Sequence, residues 1–416
     1  MDLAPSADQE AVQSEARRFL AAEITRERRL GWDATAAGHD PQFWRSVADL
    51  GWLGYGLPEA VGGQGASLLD LGLLMEECGR AVAPLGIFAA IAGGIALAAL
   101  GTAAQKREWL PAVARGEKLV TLAVAEARAV ANPAAFATTL RRRGRQLELQ
   151  GEKRYVLQGV TADAFLVAAR DGRGVSMVLV PARAPGVRVD SFTTFAKARE
   201  STVRFRGVTL PATAVAGAPR TAWPRLERLR RRLAALLCAD LVGGADAVLE
   251  MTVRYVSERE QFGVKLGTFQ AVQQMVAVMA IDLEGARHVT RQALWRLAEG
   301  FPADREIAVA KAWTGRAYRD ITLTAHQLHG GAGYIVEHEL HRYSARAKEA
   351  ELRFGSTEEW LEALAGELRL TRDGVAPGGR RTARGRRGGR AGEREGRRAP
   401  GGRDAPLRLG SRRSFR

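Results

Sequence analysis

"QLELQGEKRYVLQG", residues 146–159, decides the fold, because its texture differs from that of the sequence on either side. Apolar and polar residues alternate at its start, an aromatic and a β-branched residue follow, and glycines mark the bends. A period of two turns one face of an extended strand to a core and the other outward. Three further stretches share this texture: "ADAFLVAAR" (162–170), "GVSMVLVPA" (174–182) and "STVRFRGVTL" (201–210). Together they predict a central antiparallel β domain over about residues 121–220.

Outward from it the period changes. "FWRSVADLGWLGYG" (43–56) and "LLDLGLLMEECGRAV" (68–82) repeat apolar residues every three or four positions, separated by the Gly-rich "LPEAVGGQGAS", after which a helix is predicted to start at Ser67. Residues 1–120 are therefore read as an N-terminal helical domain. Helices return from 224. Phe269, Val272, Val276, Met279 and Leu283 fall at 3-4-3-4 spacing and predict one core-facing stripe, and a further long helix is expected at about 303–327. The fold class that follows is α+β and multi-domain, closing with a four-helix bundle at about 221–370.

The net charge of +16 is unevenly placed. Residues 372–416 hold 15 arginines and 4 acids, a net +11, which leaves only +5 for the remainder. The tail (371–416) has almost no large apolar residues and is expected to be disordered. It lacks interleaved aromatics, so no nucleic-acid partner is assigned to it. Cys78 and Cys238 lie in apolar helical contexts without metal spacing and read as buried thiols of a reducing compartment. The start of the chain carries acids early and reads as an amphipathic helix, not a signal peptide. The uncharged run 82–105 is long enough to span a bilayer, but Ala and Gly dominate it, and a buried helix pair is the better reading. The expected location is cytoplasmic, with no membrane partner.

Three segments carry the chemistry: "PEAVGGQGAS" (58–67), "YVSEREQFGVKLGTFQAVQQMVA" (255–277) and "QLHGGAGYIVEHELHRYSARAK" (327–348). In this order, with a β domain between the first two, they resemble the acyl-CoA dehydrogenase family of flavoproteins, over roughly residues 5–368. "GTAAQKREWLPAVARGEKLVTLAVAE" (101–126) resembles the family's lead into its β domain. The residue types suit an FAD. Arg259 is a planar cation for a pyrophosphate, Phe262 a flat partner for an adenine, and Gln327 can pair an adenine edge, while Gly330 and Gly331 let the backbone approach closely. The histidine pairs His326/His329 and His338/His341 lack a third ligand at a recognised spacing, so no metal site is assigned.

The resemblance implies oxidation of an acyl-CoA: a carboxylate takes a proton from the α-carbon, and FAD accepts the β-hydrogen as hydride. The family's usual base is the Glu of a "YEGT" motif. Counting without gaps from Gly330, that position falls on Phe354, and sliding by one puts Gly355 there. The alternative base on the bundle helix falls on Leu233. Glu227 is six residues away, about 9 Å along a helix. Glu351 lies three residues before Phe354, and Glu358 and Glu359 lie beyond Gly355. Neither base position holds a carboxylate.

The resemblance also implies a divided flavin site. The residues that house the ring match "AEARAVAN" (125–132) and Tyr155–Val156–Leu157, where the family's hydroxyls are gone: Ala125, Val130, Ala131, Asn132 and Leu157 stand in their places. The set that reaches into a neighbour's flavin is retained as Arg259, Gln261, Phe262, Gln327, Gly330 and Gly331. The implied protein is a base-less subunit of a hetero-oligomer, two of each chain. It would share FAD with a catalytic homologue that binds the acyl-CoA, in fatty acid or steroid side-chain degradation. A divergent homotetramer with an occupied site, a flavin monooxygenase of the same fold and a non-enzymatic interaction protein are the alternatives.

Overall fold

The computed structural model describes residues 3–127 and 132–370; the expectations for the tail and for Val130 and Ala131 lie outside the described residues. Six helices come first: α1 (Ala7–Glu23), α2 (Arg26–Asp33), α3 (Pro41–Asp49), α4 (Leu68–Arg80), α5 (Gly86–Leu100) and α6 (Ala103–Ala114). Their starts follow from the sequence. Ser6, Ser67 and Thr102 accept from the backbone N–H three residues on, and Gln9, Asp70 and Gln105 reach back to complete capping boxes. The uncharged run becomes α5, buried along almost all its length. No helix among the described residues is long and apolar enough to cross a membrane.

The strands are β1 (Val120–Ala123), β2 (Thr139–Arg143), β3 (Gln146–Leu157), β4 (Ala164–Asp171), β5 (Gly174–Pro181), β6 (Val187–Thr193), β7 (Arg199–Pro211) and β8 (Val215–Ala216), in the order β6-β7-β3-β2-β4-β5-β8. The sheet is mostly antiparallel, as its sequence texture predicts. The exceptions are β1, which runs parallel to β4, and a single parallel pairing of Thr139 with Arg170. β1 arrives from the helical domain, so its direction is set by α5 and α6 and not by a hairpin. A side chain also ties β1 to β3: Thr121 Oγ1 donates to the Leu157 carbonyl at 2.8 Å.

The last layer holds α7 (Ala222–Glu258), a short hairpin of β9 (Glu260–Gln261) and β10 (Val264–Lys265), then α8 (Gln270–Ala298), α9 (Asp304–His329), α10 (Leu340–Leu352) and α11 (Thr357–Glu367). N-terminal helical, middle β and C-terminal helical layers thus stand in the expected sequence. Two features seal the seams. Asp240 of α7 and Arg346 of α10 form a bidentate pair at 2.9 and 2.6 Å, buried on both sides. Where α4 meets α7, Gly79 lies against the Asp240 carbonyl and Gly243 against that of Glu76, so a Cβ at either would overlap backbone.

One expectation needs correction. The stripe of α8 is core only from Met279 onward, with Leu283, Ala286, Thr290, Ala293 and Leu294 continuing it. Val272 and Val276 are half-buried and Phe269 is exposed, so the rest of the described chain leaves the first turns of α8 partly uncovered. Val278, Ile281, Trp313 and Leu323 add an exposed apolar face on α8 and α9.

Candidate functional site

Phe354 and Gly355 form the turn between α10 and α11, immediately before Ser356, whose side chain caps α11. Both have positive φ, 62° and 115°. Such a conformation costs a side-chain-bearing residue roughly 1–2 kcal/mol, so the surroundings must hold it. They do so through main-chain carbonyls. Arg230 Nη1 and Trp360 Nε1 donate to the Phe354 oxygen at 2.7 and 3.2 Å. Lys311, fully buried on α9, donates to the carbonyls of Ala350, Glu351 and Gly355 at 3.2, 2.7 and 3.2 Å. Its ammonium thus closes the C-terminal end of α10, where carbonyls lack helical partners. Burial pulls Lys311 down to about 8, leaving it a cation at neutral pH.

The Phe354 ring turns inward against Phe88 of α5, centroids 6.0 Å apart. Leu233 is buried in α7. The nearby carboxylates are engaged elsewhere. Glu351 is buried and accepts from Thr357 Oγ1 and Lys348 Nζ, both at 3.0 Å. Glu227 pairs with Arg230 at 3.2 Å. Glu358 and Glu359 are exposed in the first turn of α11.

On the β domain, Tyr155 has φ 55° and is 56% exposed, with its ring edge-on to Phe192. Val156 and Leu157 point into apolar cores on opposite sides of the strand. Ala125 is exposed and its carbonyl accepts the Arg154 N–H at 2.9 Å, while the Asn132 side chain accepts from Ala134 N at 3.0 Å. Sequence reasoning missed the group beneath this surface. Lys153, fully buried, donates to Glu126 Oε1 at 2.7 Å and to the Val124 carbonyl at 3.1 Å, and lies over the Phe136 ring. Glu126 also accepts the N–H groups of Ala137 and Thr138. Burial draws Lys153 down to about 8, so it too stays charged at neutral pH. The only sequence signal was a lysine at the position where "GEKRYV" turns toward the core.

The third region is an exposed edge. Arg259 follows α7 directly, and Gln261, Phe262 and Gly263 make the β9–β10 turn, with Phe262 at φ 57° and 89% exposed. Arg259 forms no ion pair among the described residues. Gln327 is exposed on the last turn of α9, and Gly330 ends that helix with φ 56° and ψ −138°, a conformation open to glycine. Nothing lies within 4 Å of a Cβ placed on Gly330 or Gly331. The two motifs are neighbours: Tyr255 stacks on His329 with centroids 4.4 Å apart and donates to its carbonyl at 3.3 Å. His326, His329 and His338 gather under the glycine loop, and burial lowers all three. His326 meets Ser344 Oγ at 2.6 Å, and His329 Nδ1 donates to the Ala325 carbonyl at 2.8 Å. Among the described residues no three ligating side chains are grouped to hold a metal.

The chain matches the acyl-CoA dehydrogenase N-terminal, middle and C-terminal domain families over residues 6–117, 121–208 and 230–368. It is 31% identical over 344 residues to acyl-CoA dehydrogenase FadE27 of Mycobacterium tuberculosis, covering 80% of this chain and 89% of that one. The chain belongs to the acyl-CoA dehydrogenase family. Among solved acyl-CoA dehydrogenase-like structures, the ChsE4–ChsE5 complex from Mycobacterium tuberculosis superposes with a TM-score of 0.82 at 28% identity, covering 89% of this chain and 100% of that one. A variant of the Tcur3481–Tcur3483 steroid ACAD superposes with a TM-score of 0.79 at 32% identity, covering 87% and 98%. FAD-dependent dehydrogenation of acyl-CoA thioesters is general for acyl-CoA dehydrogenases, and that chemistry asks for a base, a ring-housing surface and an arm for the adenosine diphosphate.

Proposed function

We propose that this chain is the subunit without its own catalytic base in a hetero-oligomer of acyl-CoA dehydrogenases, two of each chain. It completes an FAD site that a catalytic homologue houses. The observation that carries this reading is the apolar, locked state of both base positions. Phe354 sits in a clamped turn with its ring on Phe88, Leu233 is core, and every carboxylate near the turn is paired or faces solvent. General-base catalysis needs a carboxylate within hydrogen-bond reach of the α-carbon proton, and none is offered.

The edge, by contrast, fits the adenosine diphosphate arm of FAD. Arg259 would hold the pyrophosphate, Gly330 and Gly331 would admit it to the backbone, and Phe262 would lie on the adenine. Gln261 and Gln327 would supply its polar contacts. When bound, the flavin supplies the hydride acceptor; this chain's residues bind and orient it, and the acyl-CoA lies in the partner's site. Two similar structures carry paired chain names, ChsE4–ChsE5 and the steroid ACAD Tcur3481–Tcur3483, which supports a two-chain assembly and a steroid-like acyl group.

The test is co-expression with homologous dehydrogenases, followed by flavin-to-protein stoichiometry. One FAD per unlike pair, lost on Arg259→Ala in this chain, is expected. One FAD per chain in a homo-oligomer, or dye reduction with an acyl-CoA by the isolated flavin-loaded chain, overturns the proposal.

A further inference from the structure

A cavity of about 70 Å³ opens where α2, the loop before α5, the turn between β6 and β7, and α10 meet. On the scale of about 10–15 Å³ per water, it holds several waters or one small organic molecule. Its walls are about half apolar, with Trp32, Pro84, Leu85 and Ala198 on one side and Ala345 on α10. Its polar lining holds Arg29, Lys197, Arg342, Arg346 and His341, with Asp33 the one carboxylate among the lining residues.

The pairing of those charges leaves one over. Arg342 donates to Asp33 at 3.0 Å, Arg29 pairs with Glu339, and Arg346 is taken by Asp240. Lys197 has no carboxylate partner among the described residues. Of the four lysine and arginine side chains that line the cavity, Lys197 alone has no carboxylate beside it. Lys197 is also held in place by its backbone, with φ 64° and its N–H on the Thr194 carbonyl at 3.0 Å. The same turn is tied to α10 through Thr194 and Glu349.

We infer that this cavity is a binding site for a small monocarboxylate with a short alkyl stem, of the size of propionate. The single uncompensated cation matches one negative charge. The apolar half of the wall takes a few methylenes, and a fully hydrated dianion such as phosphate would lose part of its water against it. Its lining shares none of the six residues assigned to the flavin edge, so it stands or falls separately from the function proposed above.

The experiment is calorimetric and NMR titration of the full chain with propionate, propionamide and inorganic phosphate. Saturable binding of propionate is expected, with propionamide and phosphate binding at least about tenfold more weakly. Ala345→Trp fills the cavity and should abolish binding; Lys197→Met, an exposed position that leaves the core intact, should weaken it about fivefold. Absence of saturable propionate binding, equal binding of propionamide, or an unchanged affinity in Lys197→Met overturns the inference.

Discussion

The Phe354 turn and the Arg259–Gly331 edge lie at opposite extremes of the same bundle. At the turn the Phe354 and Gly355 carbonyls both have side-chain donors, the Phe354 ring packs on Phe88, and a buried lysine closes the helix behind it. At the edge the arginine is unpaired, the phenylalanine is almost wholly exposed, and the glycines face open space. An exposed aromatic ring beside an unpaired cation and open glycine backbone offers contacts that nothing among the described residues uses. The difference separates a region packed within this chain from one left open to solvent, the one to which the proposed function assigns FAD.

The comparison can be broken most forcefully at the anchor of α10. Asp240→Leu leaves Arg346 buried without its carboxylate and should cost about 3–5 kcal/mol in chemical denaturation. If the turn is self-contained, the loss appears in the isolated chain as well as in the complex. Arg259→Ala should do the reverse. In the co-purified assembly FAD affinity falls about 10–100-fold, while the denaturation midpoint of the isolated chain is unchanged.

Acid sharpens the contrast. His326, His329 and His338 are held below their ordinary value of 6.5 by burial, so the folded state favours their neutral forms. The unfolded chain then binds more protons, and the stability these groups contribute is present above pH 6.5 and lost as pH falls below it. Hydrogen exchange at pH 5.5 and 7.5 should show protection falling around residues 326–341 and holding at the Lys311-capped end of α10. The smallest expected effect is a null. Phe354→Glu places a carboxylate at the turn while Leu157 still offers no hydroxyl, and stopped-flow dye reduction with acyl-CoA should stay at background.

The sequence carried the layers well, because periodicity of two and of 3.6 is a local property that folding preserved. The two edge motifs were visible because "REQFG" and "HGGAG" are each contiguous, and the left-handed φ of 56° at Gly330 is one that glycine adopts without strain. It did not carry the clamp. Lys311 caps carbonyls 39 to 44 residues away, and Lys153 meets Glu126 across 27 residues. Such partners are chosen by packing, and no spacing rule announces them. The α8 stripe failed for a related reason: Phe269 and Met279 share a helix face, but periodicity cannot say where along that face the covering helices stop.

The glycine contacts between α4 and α7 have a mechanical consequence. Most helix pairs meet through side chains, whose rotamers absorb small slides of one helix past the other. At Gly79 and Gly243 backbone rests on backbone, and no rotamer exists to absorb displacement. The joint between the first and last layers therefore behaves as a weld, not a bearing. Any motion that accompanies cofactor binding or assembly must be taken up by the turns at the rim of the bundle, and a ligand at one end cannot signal to the other by shearing these helices.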